Sequence, residues 1–509
     1  MNSGLTLLVG KYKNSIYTLL AITFSFIFYQ PYLNTLPLGV HNWAQSDRYS
    51  VAVKFLEHND ILKARTHNLG SVDGRCGVEF PLVQFIAAKL ANVFGENSLP
   101  MLFKVLNFSI LFFGFIYFIF QWQGNWLINR IIGSSILFSP MLFFYAYNFL
   151  PDTAGLGFLL FSFGFFVKYY HNKHQKDFTF SLIFAGLATL VKTTCGISLL
   201  AMLGAYFLYF LKKKDLKRIA STVVHGIILL SVIYIYDYFF FHKVNEDFYS
   251  RVFMSVNHPI ESLHDLNNVL KGLLYWFGQY LTIPQLFLLV TLIILYVITP
   301  KSNVSKLLPT LFIGIYLIGL LAFLGLMGKQ FINHDYYFIA SFTPIFVFML
   351  WAFSRKLATS SSQNKWLLLV VSGLTLVTIT LTVSTYTERM QSHFLWKNRD
   401  IITDIEWMQN GDYLLDDLGI KQSDRLFVCY EPAPNTSLVY FNRDGKVFNH
   451  EEMSRDSANM KYWSERIQPE YYIVPSIWVN RLSSDQPWLY SRLVLFAKRP
   501  NFYIYKPID

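Results

Sequence analysis

Long apolar stretches separated by short polar joints fill the first three quarters of the chain. A helix crossing hydrocarbon needs roughly 17–25 predominantly apolar residues. Eleven segments meet or approach that length: about 16–36, 99–120, 130–148, 153–168, 178–192, 196–211, 219–241, 283–299, 307–327, 337–353 and 366–384. Past residue 385 the pattern changes. Short strand-like runs appear at 424–431, 437–442, 469–477, 492–498 and 501–507, with a turn signal, Asn-Arg-Asp-Gly, at 442–445. Helical stretches at 400–418 and 451–467 precede or separate them. The pattern predicts a polytopic α-helical membrane part over 1–384 and a small α/β domain over 385–509. No repeat at solenoid spacing is visible, and the only low-complexity feature is the Ser run at 360–362.

Composition supports the membrane assignment. The 509 residues are 53% hydrophobic, 18% aromatic and only 15% charged, whereas soluble domains carry about 25% charge. The net charge of +11 is a matter of topology. With the N-terminus inside, the inner segments 1–15, 121–130, 168–177, 211–218, 300–306 and 354–365 hold 16 Lys and Arg against 2 Asp and Glu, as cytoplasmic loops do. The rest of the chain is then slightly acidic, so the basic balance gives no reason to expect nucleic acid as a partner. Three cysteines, Cys76, Cys195 and Cys429, make no disulfide framework, although a Cys76–Cys429 bridge is open. Residues 16–33 lack a following small-residue cleavage site and read as a retained first span.

This orientation puts three large pieces outside: a first loop at about 37–98, a second at about 242–282, and the tail. In the first loop, 43–57 and 82–94 are amphipathic helix candidates suited to the membrane surface. Asp47 falls on the apolar side of the first, since residues four apart share a helix face. Glu79 lies just ahead of the second. A carboxylate at an apolar boundary gains proton affinity and suits a general base; a structural pairing of Asp47 with Arg48, Lys54 or Arg75 explains the same position.

Between 178 and 211 both flanks are basic, and the length is too great for one span and too small for two full ones. A hairpin of short helices broken near Lys192–Gly196 satisfies both constraints. Lys192 is then either a functional intramembrane cation or a side chain snorkelling to the interface. Asp152 follows Pro151 as a helix N-cap or a site residue. His334, Asp335, Tyr336 and Tyr337 cluster where span ten begins; tyrosines sit at such interfaces for anchoring alone. His41, His58 and His67 lack zinc-type spacing, and no metal is expected.

Taken in order, HNWAQSDRYSVAVKFLE and EFPLVQF in the first loop, PDTAGLGFLLF, GLATLVKTT at 186–194 and NHDYYFIASFTP at 333–344 resemble the polytopic GT-C glycosyltransferases. The likeness is to their bacterial protein-mannosyltransferase and aminoarabinose-transferase branch, and it covers about the first 350 residues. It implies a polyprenyl-phosphate-linked sugar as donor substrate, no other cofactor, and direct inverting transfer of a hexosyl or pentosyl group. The acceptor would be lipid A, another glycolipid, a polysaccharide or a protein. It also implies a multi-pass bacterial inner-membrane enzyme with a cytoplasmic N-terminus and a periplasmic C-terminal domain, in contact with membrane lipid. Asp47 would be the base. Lys192 and the His334–Tyr337 segment would bind the lipid phosphate, and Arg48, Glu79 and Asp152 would line the substrate site. Many relatives carry two adjacent acids where this chain has Asp47 followed by Arg48. Glu79 would supply the second carboxylate, or Arg48 has turned to phosphate. Two other classes fit many spans: a lipid or solute transporter or flippase, and a non-catalytic member of the same fold. Transporters usually show matched broken helices in both halves, and here one break is visible.

Overall fold

The computed structural model of the chain describes residues 2–70, 73–123, 125–248, 253, 257–298, 307–354, 365–391 and 405–508. The protein is a multi-pass helical bundle with a small C-terminal sheet domain packed against its first loop. Among the described residues seven helices are long and apolar enough to cross a membrane, or eight if one bent pair counts as a span. That test does not confirm eleven. Several expected spans are shorter or broken for local reasons.

The expected span 130–148 is split into Trp126–Leu137 and Pro140–Tyr145. Pro140 has no N–H to continue the ladder and pushes Ser139 into extended backbone. The first piece is capped by Asn125, whose side chain accepts from the amides of Leu127 and Ile128. The helix Leu216–Tyr236 continues past its expected end through a π-helical turn, Asp237–His242, into Lys243–Asp247. A large part of the expected loop 242–282 is the helix Leu263–Tyr280, opened by a capping box of Ser262 and Asp265. It meets Ile283–Ile298 at a bend of 91°. The Ser run at 360–362 and the inner segment 300–306 fall outside the described residues, as does most of 354–365.

The break expected near Lys192 is present. Helix Gln175–Val191 ends, Lys192 is extended, Thr193–Cys195 forms a 3-10 turn, and Gly196–Lys213 resumes. Small residues let the neighbouring helices close up. A Cβ on Gly114 would lie 2.2 Å from the Gly157 carbonyl, so Leu99–Phe120 and Asp152–Asn172 touch backbone to backbone. A Cβ on Gly155 would meet Lys192 Cβ at 2.9 Å, which seats the start of that helix on the break. The first loop forms both expected helices, Asn42–Glu57 and Leu82–Phe94.

In the C-terminal domain the strands are β1 (Leu426–Cys429), β2 (Gly445–Phe448), β3 (Tyr471–Pro475), β4 (Leu493–Lys498) and β5 (Phe502–Pro507), ordered β2-β1-β3-β5-β4. The first three are parallel, and β5 pairs antiparallel with β3 and β4. Two assignments differ from the sequence pattern. SLVYFN lies in the helix Thr436–Phe441, ended by Asn442 in the left-handed conformation, and the strand instead follows the turn, as GKVF. Helices fill 450–455 and 457–467 as expected. Of the expected helix 400–418, residues 400–404 lie outside the described set; the remainder holds a 3-10 turn and the helix Gly411–Asp417. All three cysteines are buried and free, so Cys76 and Cys429 form no bridge.

Candidate active site

Helix Asn42–Glu57 is buried along most of its length, and Asp47 is only 3% exposed. Its Oδ1 accepts a hydrogen bond from Asn435 Nδ2 of the C-terminal domain at 2.8 Å. Among the described residues no hydrogen bond reaches Oδ2. Burial pushes the Asp47 carboxyl up to about 7, against the opposing pull of Asn435 and Arg48. Such a group gives up and takes back a proton near neutrality.

Arg48, next on the helix, turns to a second carboxylate. Its Nη2 lies 2.9 Å from Glu79 Oε2, and Lys192 Nζ reaches the same oxygen at 3.3 Å. Thr193 completes the shell, donating its amide at 3.2 Å and its hydroxyl at 3.0 Å to Glu79 Oε1. Burial raises the proton affinity of Glu79, but Lys192 and Arg48 outweigh it and hold its carboxyl below the usual range. Lys192 Nζ also lies 3.4 Å from Asp152 Oδ1 and 5.2 Å from the centre of the Tyr337 ring. Asp152 does not cap its helix. Pro151 holds that position, and the Asp152 side chain, one residue further in, turns to Lys192. Lys192 therefore sits in a buried ionic cluster, not snorkelled to an interface.

Asp335 belongs to a different cluster. Arg389 Nη2 contacts its Oδ2 at 2.5 Å, while His41 Nε2 at 3.0 Å and the Tyr145 hydroxyl at 2.7 Å contact Oδ1. Burial opposes its charge, yet Arg389 and His41 prevail, and its carboxyl is held well below the usual range. His334 stands between the two clusters, with Trp43 edge-on at 5.5 Å and His41 stacked at 6.3 Å. Burial, with His41 beside it, lowers the His334 imidazole to about 4. Tyr336 packs between His334 and Tyr145. Arg48, Glu79, Asp152, Lys192 and Tyr337 thus share one cluster, Asp47 adjoins it on the same helix as Arg48, and His334, Asp335 and Tyr336 form its wall.

Sequence reasoning missed Arg389, Tyr145 and Asn435. An arginine in the last turn of an apolar helix, in Lys365–Gln391, was a usable signal; Tyr145 and Asn435 carried none. Among the described residues no three His, Cys, Asp or Glu side chains gather as a metal site.

The model of the dolichyl-phosphate-mannose-protein mannosyltransferase family matches residues 79–241, under half of the chain but including Glu79, Asp152 and Lys192. No curated protein sequence matches. The chain is similar over its whole length to apo ArnT from Cupriavidus metallidurans: TM-score 0.59, 11% identity, 99% of each chain covered. The fold is that of the GT-C glycosyltransferases. The same ArnT bound to undecaprenyl phosphate matches with a TM-score of 0.57 at 12% identity, over 100% of this chain and 99% of that one. The Archaeoglobus fulgidus oligosaccharyltransferase in complex with Zn and sulfate matches with a TM-score of 0.53 at 12% identity, over 97% of this chain and 73% of that one. In this chain the residue after Asp47 is Arg48, and it pairs with Glu79.

Proposed function

We propose that the chain is a membrane glycosyltransferase that moves a hexosyl or pentosyl group from a polyprenyl-phosphate-linked donor to a hydroxyl-bearing acceptor. The bundle (1–384) would sit in a bacterial inner membrane with its N-terminus cytoplasmic, and the domain over 385–509 would face the periplasm. The observation that carries this is the meeting, on a GT-C fold, of a neutral-range carboxylate, Asp47, with two cations, Arg48 and Lys192, aligned by Glu79. The undecaprenyl phosphate bound by ArnT supports a lipid phosphate as the donor's carrier.

The chemistry follows from the placement. Asp47 Oδ2 takes the acceptor's proton as the acceptor oxygen attacks the anomeric carbon. The bond from that carbon to the phosphate oxygen breaks, and the electron pair leaves with the polyprenyl phosphate. Arg48 and Lys192 stabilise the charge that develops there. A single displacement inverts the anomeric centre. Glu79 and Asp152 hold the cations in place, and Asp335 supports the wall.

Mass spectrometry of envelope lipids, polysaccharides and proteins tests this in cells carrying the intact gene, a deletion or Asp47→Asn at matched membrane levels. Loss of the same sugar-sized mass in the deletion and in Asp47→Asn is the expected result. A glycan change on deletion that Asp47→Asn does not reproduce would overturn the assignment.

A further inference from the structure

Asn435 stands at the N-cap of the helix Thr436–Phe441, where an asparagine side chain ordinarily accepts from the first-turn amides. It makes no such bond here. Its Oδ1 accepts instead from the Asn68 amide at 3.0 Å and the Ser50 hydroxyl at 3.3 Å. The Ser50 hydroxyl proton is shared with His67 Nδ1, 2.8 Å away, but the Asn68 N–H alone fixes which end of the amide is which: reversing it would press its NH2 against that N–H and its carbonyl against a carboxylate. Nδ2 is therefore committed to Asp47 Oδ1. The four residues are buried.

The surrounding contacts hold this amide in register. Asn68 Nδ2 donates to the Pro434 carbonyl at 2.7 Å, the Leu69 amide to the Gly445 carbonyl at 2.7 Å, and the Gly445 amide to the His67 carbonyl at 2.9 Å. The first loop thus docks against the start of β2, with Asn435 beside that seam.

We infer that Asn435 is a positioning residue for Asp47: the C-terminal domain inserts one oriented amide that holds the carboxylate by Oδ1 and leaves Oδ2 for the acceptor. The catalytic meaning of this rests on the base role proposed above. Asn435 acts through Asp47 and need touch no substrate. The ionisable groups around this spot are Arg48 on the same helix, Cys76 and His67 from the loop beyond it, and the Lys54–Asp444 pair across the domain seam. Burial lowers the His67 imidazole and raises the Cys76 thiol, so neither is charged near neutral pH. Arg48 and the Asn435 amide are then the groups on hand to oppose the desolvation of Asp47.

The test follows Asp47's protonation directly. Infrared titration of the carboxyl band is run on the full chain in lipid nanodiscs, as the difference between each protein and the same protein carrying Asp47→Asn. Asn435→Asp keeps an acceptor for Asn68 and Ser50 but replaces Asp47's amide donor with a carboxyl, so the lost hydrogen bond and like-charge repulsion act in the same direction, whereas Ser50→Ala adds no charge. Asn435→Asp should move the Asp47 midpoint up by roughly 1–2 pH units. Ser50→Ala, which frees one side of the amide, should move it the same way by less, and it carries the test if Asn435→Asp does not accumulate. A midpoint unmoved in the variants that fold overturns the inference. A shifted midpoint together with an unchanged envelope glycan in Asp47→Asn would keep the contact and overturn the transferase assignment, so the two failures are distinct.

Discussion

Two buried ionic clusters lie side by side, and they differ in how tightly they are closed. In one, Asp335 meets Arg389 and His41, with all three side chains at 0% exposure. In the other, Glu79 gathers Arg48 and Lys192, at 14% and 6% exposure. A sealed ion pair is a structural element whose loss is felt as instability. A cluster whose cations keep some exposure beside a neutral-range carboxylate can still accept an anion. Under the proposed function the difference would separate residues that hold the wall from residues that meet the substrate, although all of them come from polar positions in an apolar sequence.

The largest effect should come from Asp47. Asp47→Asn is expected to lower sugar transfer on the order of 10²–10⁴-fold, read as loss of the envelope glycan mass. In the wild type, transfer should rise with pH through about 7 as Asp47 ionises. Stability should run the other way. A carboxyl raised above its unfolded value stabilises the fold most at low pH, and that contribution is lost as pH rises through about 7. Asp47→Asn should therefore melt higher than wild type at pH 8, where the native carboxylate is ionised in a buried site. An equal or lower melting temperature there would remove the argument for a strained, functional acid.

Next comes the sealed cluster. Arg389→Met leaves the buried Asp335 with only His41 and the Tyr145 hydroxyl as partners and should cost about 3–5 kcal/mol, read as a lowered melting temperature and poor accumulation in membranes. Arg389→Met combined with Asp335→Leu should recover most of it. Asp335 is held low, so its contribution is present above the ordinary aspartate range and lost as pH falls through its folded value. Lys192→Gln should act on chemistry, lowering transfer about 10²–10³-fold, with part of the rate kept in Lys192→Arg. If Lys192→Gln lost stability and Arg389→Met lost only rate, the division between the clusters would be inverted.

Much of this layout was legible in the sequence because it rests on local pattern. Apolar runs marked most spans, basic flanks and length located the break at Lys192, and alternation located four of the five strands. The helix Leu263–Tyr280 escaped because His264, Asp265, Asn267, Asn268 and Lys271 on one side dilute its mean hydropathy. SLVYF reads as a strand by propensity, yet Asn442 in the left-handed conformation ends it as a helix. The site was legible in its acids and in Lys192, since charge in an apolar context stands out. It was illegible where the partner comes from far away: Asn435 reaches Asp47 across 388 residues and Arg389 reaches Tyr145 across 244. Periodicity carries no information about contacts at that separation.

The smallest effect belongs to a third ionic contact, which is wetter than either cluster. Lys54 Nζ bridges Glu57 and Asp444 at 2.8 Å each, joining the first loop to the C-terminal domain, with Asp444 at 35% exposure and Glu57 at 55%. Water competes for both carboxylates and salt screens them, so Lys54→Met should cost only about 0.2–1 kcal/mol. The cost should shrink further in high salt, measured by thermal melting with and without added chloride. The C-terminal domain would then be held on the loop by the buried backbone seam at His67–Leu69 and Gly445. A loss several times larger and insensitive to salt would mean that the seam depends on Lys54, and a third cluster would have to be counted with the sealed one.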